Sequence, residues 1–339
     1  MRREGRGAVV DLARDIVSLD GSTHAGEVVH RLPTGSEWRF EPDWDGLNVI
    51  ARFGSAKRAD RLISDRGRSF DRFFPELVQA MRVMPVGEAT VRGSLIVVGH
   101  SGIDHELVRR RLHPSHSRVA ALAEATPATL VLTDIAVSEG TDLQASTIDE
   151  RRRMLERSAS EASIEMAPSR LRRTPQDRAL LLSPQTFDRR VAHAWLLDRD
   201  ATGRDGVIAR HADGRRWVRV RRLRTASCVV TGFRRTGSGE IGAVRLGLYD
   251  DGELVDVGRT VALRRAPARR HMAGVLKTVD PVAVTLSPLR STWVGVPPAL
   301  ACEVRFERVK GRRFRQAATF VRWLPELDPR SCTTEQLSR

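Results

Sequence analysis

The sequence contains little lysine, cysteine or tyrosine, and each shortage excludes some chemistry. Only three of its 57 basic residues are lysines (Lys57, Lys277 and Lys310), and the others are arginines. Arginine stays protonated and does not serve as an amine nucleophile, so a lysine-based mechanism has three candidates. The three cysteines form no CxxC pair, which argues against a zinc ribbon or disulfide framework and favours a cytoplasmic location. The single tyrosine, Tyr249, excludes extensive base stacking on tyrosine.

Long apolar runs are missing as well. No stretch approaches the roughly 18 apolar residues of a transmembrane helix. The first residues carry no apolar segment of the kind that follows the basic start of a secretory signal. The 41% hydrophobic and 29% charged content fits a folded globular protein, and 339 residues suffice for two domains. We therefore expect a two-domain protein without membrane association, acting as a monomer.

What the sequence does have is positive charge. The formal net charge is +15, which predicts a polyanionic partner such as nucleic acid. Residues 1–222 carry 37 basic and 31 acidic residues, whereas residues 223–339 carry 20 and 11. The C-terminal third is therefore the more basic part of the chain.

The periodicity predicts a mixed first domain, residues 36–222, after an unassigned segment, residues 1–35. Short apolar runs bounded by polar turns predict buried strands, and two longer amphipathic stretches predict helices. The strands are expected around Val91, Leu95–Val98, Leu130–Leu132 and Val207–Ala209, and the helices at Leu77–Met84 and Leu107–Leu112. This alternation is typical of an α+β domain.

The second domain, residues 223–339, has a different pattern. Its apolar runs are short and are separated by glycine or aspartate turns, as at 237–242 and 250–252. Strands are expected at Ser227–Phe233, Ala243–Tyr249, Leu254–Val257, Ala301–Phe306 and Thr319–Val321. Such a pattern favours a small barrel, with an OB-fold as the first candidate.

Arginine runs occur in both domains. Arg109–Arg111 and Arg151–Arg153 are interpreted chiefly as solvated helix faces, with phosphate contact as the alternative. Near the end of the basic barrel stands a group of four arginines that are the favoured candidates for contact with a nucleic-acid backbone: Arg312, Arg313, Arg315 and Arg322.

Seven short motifs follow one another in an order that carries a resemblance. They are Phe-Glu-Pro-Asp-Trp-Asp-Gly at 40–46, Ser-Asp-Arg-Gly at 64–67 with Phe-Pro-Glu-Leu at 74–77, Arg-Gly-Ser-Leu at 92–95, Asp-Gly-Val-Ile-Ala-Arg at 205–210, Trp-Val-Arg-Val-Arg at 217–221, Arg-Thr-Ala-Ser-Cys-Val-Val at 224–230, and Arg-Phe-Arg followed by Phe-Val-Arg-Trp-Leu-Pro-Glu-Leu-Asp-Pro between 313 and 329. From about residue 37 onward the chain resembles the short bacterial ATP-dependent DNA ligases of the C type.

The resemblance implies a fold and a reaction. The fold is a nucleotidyltransferase (ATP-grasp-like adenylation) domain followed by an OB-fold β-barrel. In the reaction, a lysine takes AMP from ATP, AMP passes to the 5′-phosphate at a nick, and the 3′-hydroxyl displaces it. The resemblance implies ATP and Mg²⁺ as cofactors and double-stranded or nicked DNA as the partner. It also implies a role in DNA repair or recombination, with other repair proteins as further partners. The nucleotide-binding positions carried over are Glu41, Arg66, Ser94, Thr133, Asp205, Arg219 and Arg221, and Asp205 is also the remaining candidate metal ligand.

The chain departs from the motifs where the chemistry resides. Asp43 stands at the position of the lysine nucleophile. A carboxylate is repelled by a triphosphate and would form a labile mixed anhydride, whereas an amine forms a phosphoramidate that stores AMP. Lys57, Lys277 and Lys310 lie away from this motif and are poor substitutes.

Further departures affect the metal, the base and the phosphates. Arg92 and Ser94 replace two acids, and they share one face of a strand because they are spaced i, i+2. Thr133 replaces the aromatic residue expected to stack on adenine, and Leu324 replaces an arginine of the closing motif.

We therefore predict a ligase homologue that has lost self-adenylation and acts, if it has a role, as a DNA- or nick-binding pseudo-ligase, associated with the nucleoid when DNA-bound. The alternative is an active ATP-dependent ligase that seals nicks with an unrecognised nucleophile or a pre-made adenylate.

Overall fold

The chain forms two compact units, residues 1–221 and 222–339, in a computed structural model. The structure describes residues 27–54, 59–65, 67–82, 87–99, 102–168, 171, 179–197, 204–214, 216–236, 241–261 and 293–337. None of the helices in these segments is long and apolar enough to cross a membrane.

The described residues of the first unit form two sheets and five α-helices. Its strands are β1 (Glu27–Val29), β2 (Trp38–Trp44), β3 (Leu47–Phe53), β4 (Arg61–Ser64), β5 (Ala89–Gly99), β6 (Gly102–Ile103), β7 (Ala128–Ser138), β8 (Thr141–Asp142), β9 (Leu180–Leu182), β10 (Arg204–His211) and β11 (Trp217–Val220). Its helices are α1 (Pro75–Arg82), α2 (His105–Arg111), α3 (His116–Ala125), α4 (Ile148–Glu161) and α5 (Arg189–Leu197). The predicted mixture of strands and helices is confirmed.

The larger sheet of this unit has seven strands in the order β4-β3-β5-β7-β8, with β6 paired to β5 and β9 to β7. Alternate residues of β5 point to opposite faces. Val91, Leu95 and Val97 enter the main core with the apolar side of α1, whereas Ile96 and Val98 contact Trp44 from the other sheet. The even-numbered face of β5, which also carries Arg92 and Ser94, therefore faces away from the main core.

The smaller sheet has the order β1-β11-β10-β2. One face packs Phe40, Val207 and Val220 against α5. The opposite face carries the odd-numbered residues of β2 and β11 and the even-numbered residues of β10, and these are largely charged.

In the part of the second unit that the structure describes, strands are the main element. They are β12 (Arg224–Arg235), β13 (Ile241–Asp250), β14 (Glu253–Arg259), β15 (Val294–Gly295), β16 (Ala301–Phe306), β17 (Val309–Lys310), β18 (Arg313–Phe314) and β19 (Thr319–Trp323). Six of them form the sheet β14-β13-β12-β16-β19 with β15 on β12, and β17 pairs with β18. The five predicted strands all lie within observed ones.

The three cysteines lie in the core of this second unit. Cys228 and Cys302 are direct partners on β12 and β16, and all three thiols are free and buried. Burial raises the pKa of Cys302 to about 12 and that of Cys332 to about 11. The cysteines are therefore protonated packing residues at neutral pH.

Candidate functional site

The charged face of the four-stranded sheet brings four motif residues together. Strand register places Glu41 beside Ile208 and Ile208 beside Arg219. One step along the sheet, Asp43 lies beside Gly206. Because residues paired across strands point to the same face, Glu41, Asp43, Arg219 and Arg221 project to one side. Motifs separated by about 175 residues in the sequence thus meet through ordinary antiparallel pairing.

Asp43 forms an ion pair with the arginines of the 217–221 motif. Its Oδ2 lies 2.9 Å from Nε of Arg219 and 4.0 Å from the nearest guanidinium nitrogen of Arg221. The Arg219 N–H does not align with this oxygen, so the contact is electrostatic and not a directed hydrogen bond. Asp43 is 6% exposed, which strengthens the attraction between the opposite charges.

Gly206 lies beside this ion pair, on β10 opposite Asp43. Its φ of +146° favours glycine, and a Cβ there would collide with the Val220 carbonyl oxygen. Glycine at this position therefore lets the backbones of β10 and β11 approach closely next to the ion pair.

Glu41 is the second buried carboxyl of this face. Its Oε1 accepts a hydrogen bond of 2.8 Å from Nε of Arg210, while its Oε2 is buried without a hydrogen-bond partner among the described residues. Burial raises the pKa of the Glu41 carboxyl, and the Arg210 charge opposes that rise. Oε2 of Glu41 can therefore accept a hydrogen bond when the carboxyl is ionised or donate one when it is protonated. No described protein group makes such a hydrogen bond with it.

The remaining described nucleotide-binding candidates lie on the seven-stranded sheet. Ser94 is buried on β5 and pairs with Val131, two residues before Thr133 on β7. The Thr133 hydroxyl donates a 3.3 Å hydrogen bond to the Arg92 carbonyl oxygen. Arg92, Ser94 and Thr133 thus form a second local group, which contains one cation, two hydroxyls and no acid.

Among the described side chains, the donor chemistry of these two groups does not fit Mg²⁺. Hard divalent cations prefer carboxylate and carbonyl oxygens, whereas Arg92 presents a cation and Ser94 a neutral hydroxyl. Asp43 is paired with Arg219, and Glu41 is paired with Arg210 through its Oε1. Among the described residues no group of three or more His, Cys, Asp or Glu side chains is arranged to hold a metal ion.

Some sequence candidates lie outside the described part of the chain. These are Arg66, Lys57 and Lys277, together with the side chains of Asp205 and Lys310. The backbone of Asp205 belongs to β10, at the irregularity between Arg204 and Gly206.

The prediction that the arginine runs are solvated helix faces is wrong for three of their members. Arg111 is fully buried and holds Glu76 through two hydrogen bonds of 2.6 and 2.9 Å. Arg151 is buried and binds Asp134 at 2.9 and 3.2 Å. Arg152 is also buried and donates to the Ser183 carbonyl. These arginines stabilise the fold and are not available to phosphate.

Helical spacing alone could have predicted that Arg151 faces the core. The apolar residues of α4 that enter the core are Ile148, Leu155 and Ala159. Arg151 lies three residues after Ile148 and four before Leu155, so it belongs to the same stripe. The Thr147–Glu150 capping box fixes where the helix begins and therefore which residues face inward.

The four barrel arginines proposed from the sequence are exposed, but three of them contact acids. Arg312 pairs with Asp250, Arg313 lies 3.2 Å from Asp256, and Nε of Arg322 lies 2.7 Å from Glu303. Exposed pairs of this kind contribute little to stability and exchange readily for another anion. The backbone N–H of the fourth, Arg315, donates to the Arg308 carbonyl.

The two units and the charged face define a class of protein: a nucleotidyltransferase domain followed by an OB domain, the architecture of ATP-dependent DNA ligases. No family model matches the chain. It is 33% identical over 331 residues to DNA ligase C of Mycobacterium tuberculosis (strain ATCC 25618 / H37Rv). This alignment covers 88% of this chain and 89% of the relative. It is also 33% identical over 344 residues to DNA ligase C2 of Mycolicibacterium smegmatis, covering 91% and 92%. The chain belongs to the DNA ligase C family of ATP-dependent DNA ligases.

A solved structure with a TM-score above 0.5 shares the fold at lower identity. The structure named Pmar-Lig_Pre has a TM-score of 0.54 and 14% identity, covering 84% of this chain and 63% of that one. The ligase domain of M. tuberculosis LigD has a TM-score of 0.42 and 22% identity, covering 91% and 97%.

Proposed function

We propose that this member of the ligase family binds nicked or intact duplex DNA without forming a covalent adenylate. The observation that carries the proposal is the 2.9 Å ion pair between Asp43 and Arg219. A carboxylate occupies the position of the expected amine, and it is held by a cation that the resemblance assigns to phosphate.

Three physical effects disfavour Asp43 as a substitute nucleophile. The carboxylate is buried, so an incoming α-phosphate would have to displace Arg219 before contact. The arginine charge stabilises the carboxylate and lowers its nucleophilicity. Any acyl phosphate formed would be more easily hydrolysed than a phosphoramidate. In addition, Arg92 and Ser94 do not supply the acids that would hold a metal beside the triphosphate.

The chain keeps the positive charge that favours binding to DNA. The second unit is strongly basic, and Arg312, Arg313, Arg315 and Arg322 expose their guanidinium groups or lie at its surface. Phosphate contacts of this kind do not depend on base sequence and weaken steeply as salt rises.

Labelled ATP tests the absence of catalysis. The full chain is incubated with ATP labelled at the α-phosphate and with Mg²⁺ or Mn²⁺, and denaturing gel electrophoresis shows any covalent adduct. We expect none. An adduct in the wild type that disappears in Asp43→Ala would establish Asp43 as a nucleophile and overturn the proposal, and one that persists would point to another residue.

A nicked-duplex shift assay tests binding separately. We expect retention at about 50 mM salt and loss at a few hundred millimolar, since electrostatic contacts dominate. A chain that binds neither nicked nor intact duplex at low salt has no function of this kind. Nick sealing by the wild type would instead support the active-ligase alternative, in which the chain repairs DNA with ATP or a pre-made adenylate.

A further inference from the structure

A cleft of about 300 Å³ opens in the second unit beside the β13–β14 hairpin, β18 and the residue that precedes β15. Its charged and aromatic lining residues include Arg245, Arg259, Arg313, Arg315, Asp256 and Trp293. The described lining thus has four arginines and one carboxylate. The cleft attracts anions, and its volume lies at the small end of the range for ligand pockets.

Asp256 holds two of these arginines in place. Its Oδ2 accepts a 2.6 Å hydrogen bond from Nε of Arg245, and its Oδ1 lies 3.2 Å from a terminal nitrogen of Arg313. Oδ1 also accepts a 2.8 Å bond from the Gly258 N–H. Each guanidinium has five N–H donors, which is more than its contact with Asp256 uses. The carboxylate orients the two cations and still leaves the lining net positive.

One wall of the cleft includes Phe314, against which a glycine packs. A Cβ on Gly258 would lie 3.5 Å from the Phe314 ring, and the glycine has a φ of +131°. Phe314 packs in turn on Phe306, with ring centroids 4.7 Å apart and the rings tilted by 36°. Core packing therefore fixes this wall, and three of the four lining arginines belong to strands.

Trp293 adds a stacking surface to the lining. Its side chain is half-buried, and the Arg234 guanidinium carbon lies 5.8 Å from its ring centroid. A nucleobase can stack on an aromatic ring only when it is not enclosed between neighbouring base pairs. A tryptophan beside several arginines therefore fits an unpaired nucleotide better than it fits a duplex.

We propose that this cleft binds one nucleotide unit of single-stranded DNA, with a base on Trp293 and phosphate on the arginines. The proposal deepens the proposed function, because it assigns an unpaired strand to a protein already taken to bind DNA. The surrounding arginines neutralise phosphates on either side of the stacked base, and no base-specific contact is required.

Binding of the full chain to an oligothymidylate of about 12 nucleotides, within the range covered by one OB fold, tests the proposal. Fluorescence anisotropy gives the affinity for this strand, for an intact duplex and for a nicked duplex. Trp293→Leu should weaken binding of the single strand by about fivefold to hundredfold, the usual effect of removing one stacking partner, and should change duplex binding little.

Arg259→Ala provides a second variant at an exposed position, where folding is not at risk. It should flatten the slope of log affinity against log salt for the single strand by about 0.7, the value for one lost phosphate contact. Arg305→Ala is the matched control, since Arg305 is an exposed arginine on β16 outside the cleft lining. It removes the same charge and should leave the slope unchanged.

The outcomes separate the two proposals. Unchanged single-strand binding in Trp293→Leu and Arg259→Ala, or an equal loss for single strand and intact duplex, overturns the assignment of the cleft to an unpaired strand. Nicked-duplex binding that persists in the same experiments leaves the proposed function standing. If the wild type binds the single strand but no duplex, the cleft assignment holds and the proposed function fails.

Discussion

The Asp43 carboxylate lies 2.9 Å from Nε of Arg219, and each residue occupies a position where the resemblance expects lysine. Two lysines at these positions would repel each other unless a bound phosphate lay between them. Asp43 and Arg219 carry opposite charges and attract each other without a ligand. Arg221 lies 4.0 Å from the same oxygen, so one carboxylate holds two cations and the group keeps a net positive charge. This relationship explains how the fold tolerates an acid in the nucleophile position.

Removing both members of this pair should cost less stability than the sum of the two single removals. Asp43→Ala leaves two largely buried guanidinium groups without their anion, and we expect a loss of about 2 kcal/mol in the free energy of unfolding. The double variant with Arg219→Met should lose less than the sum of the two single variants. Urea unfolding of the four proteins in a double-mutant cycle gives the coupling. A coupling near zero would show that solvent screens the ion pair.

Asp43→Lys should not restore adenylation. The new ammonium would lie beside Arg219 and Arg221, and their repulsion opposes the closely packed geometry. Arg92, Ser94 and Thr133 would still lack the metal-binding and base-stacking groups. The α-phosphate labelling assay measures the outcome. Strong adduct formation by this single variant would mean that the other departures matter less than their chemistry indicates.

Arg151 should be far more important to stability than its neighbour Arg153. Arg151→Met breaks a buried bidentate pair and leaves the Asp134 carboxylate, 8% exposed, uncompensated. A loss of about 3 kcal/mol is expected. Arg153→Met, on the exposed side of the same helix, should change stability by less than about 0.5 kcal/mol. Similar effects of both substitutions, measured by thermal or urea unfolding, would contradict the buried position of Arg151.

The Glu41 carboxyl should make stability depend on pH. Burial raises its pKa in the folded state, so the unfolded state releases the proton first as pH rises. The Glu41 contribution to stability is therefore fully present below its ordinary pKa of 4.5 and is lost as pH rises through the folded-state pKa.

Glu41→Gln removes this titration while keeping an oxygen for the Arg210 hydrogen bond. The variant should gain stability relative to the wild type as pH rises from about 4 to 7, since a raised carboxyl pKa favours the neutral form. Unfolding at several pH values measures this difference. A relative gain by the wild type over the same range would show that the charge of Arg210 outweighs burial.

The sequence predicted the fold where patterns are local and strong. Short apolar runs separated by glycine or aspartate turns predicted β12, β13 and β16, and the ordered motifs predicted the ligase architecture. The sequence was a poorer guide to the arginines, because a charged residue type favours the prediction of a solvent-exposed side chain. Arg111 and Arg151 are buried since each finds a carboxylate from a distant element, and no local pattern states which carboxylate that is.

By itself, the sequence determined which residue types are present: three lysines, an aspartate at residue 43, and arginines at 219 and 221. It could state that an amine nucleophile was missing from the motif, because that is a matter of residue type. Only the tertiary structure decided what the replacements do. Antiparallel pairing of β10 with both β2 and β11 brings the aspartate and the arginines into contact. Coulomb attraction depends on distance and burial, and both are properties of the folded chain.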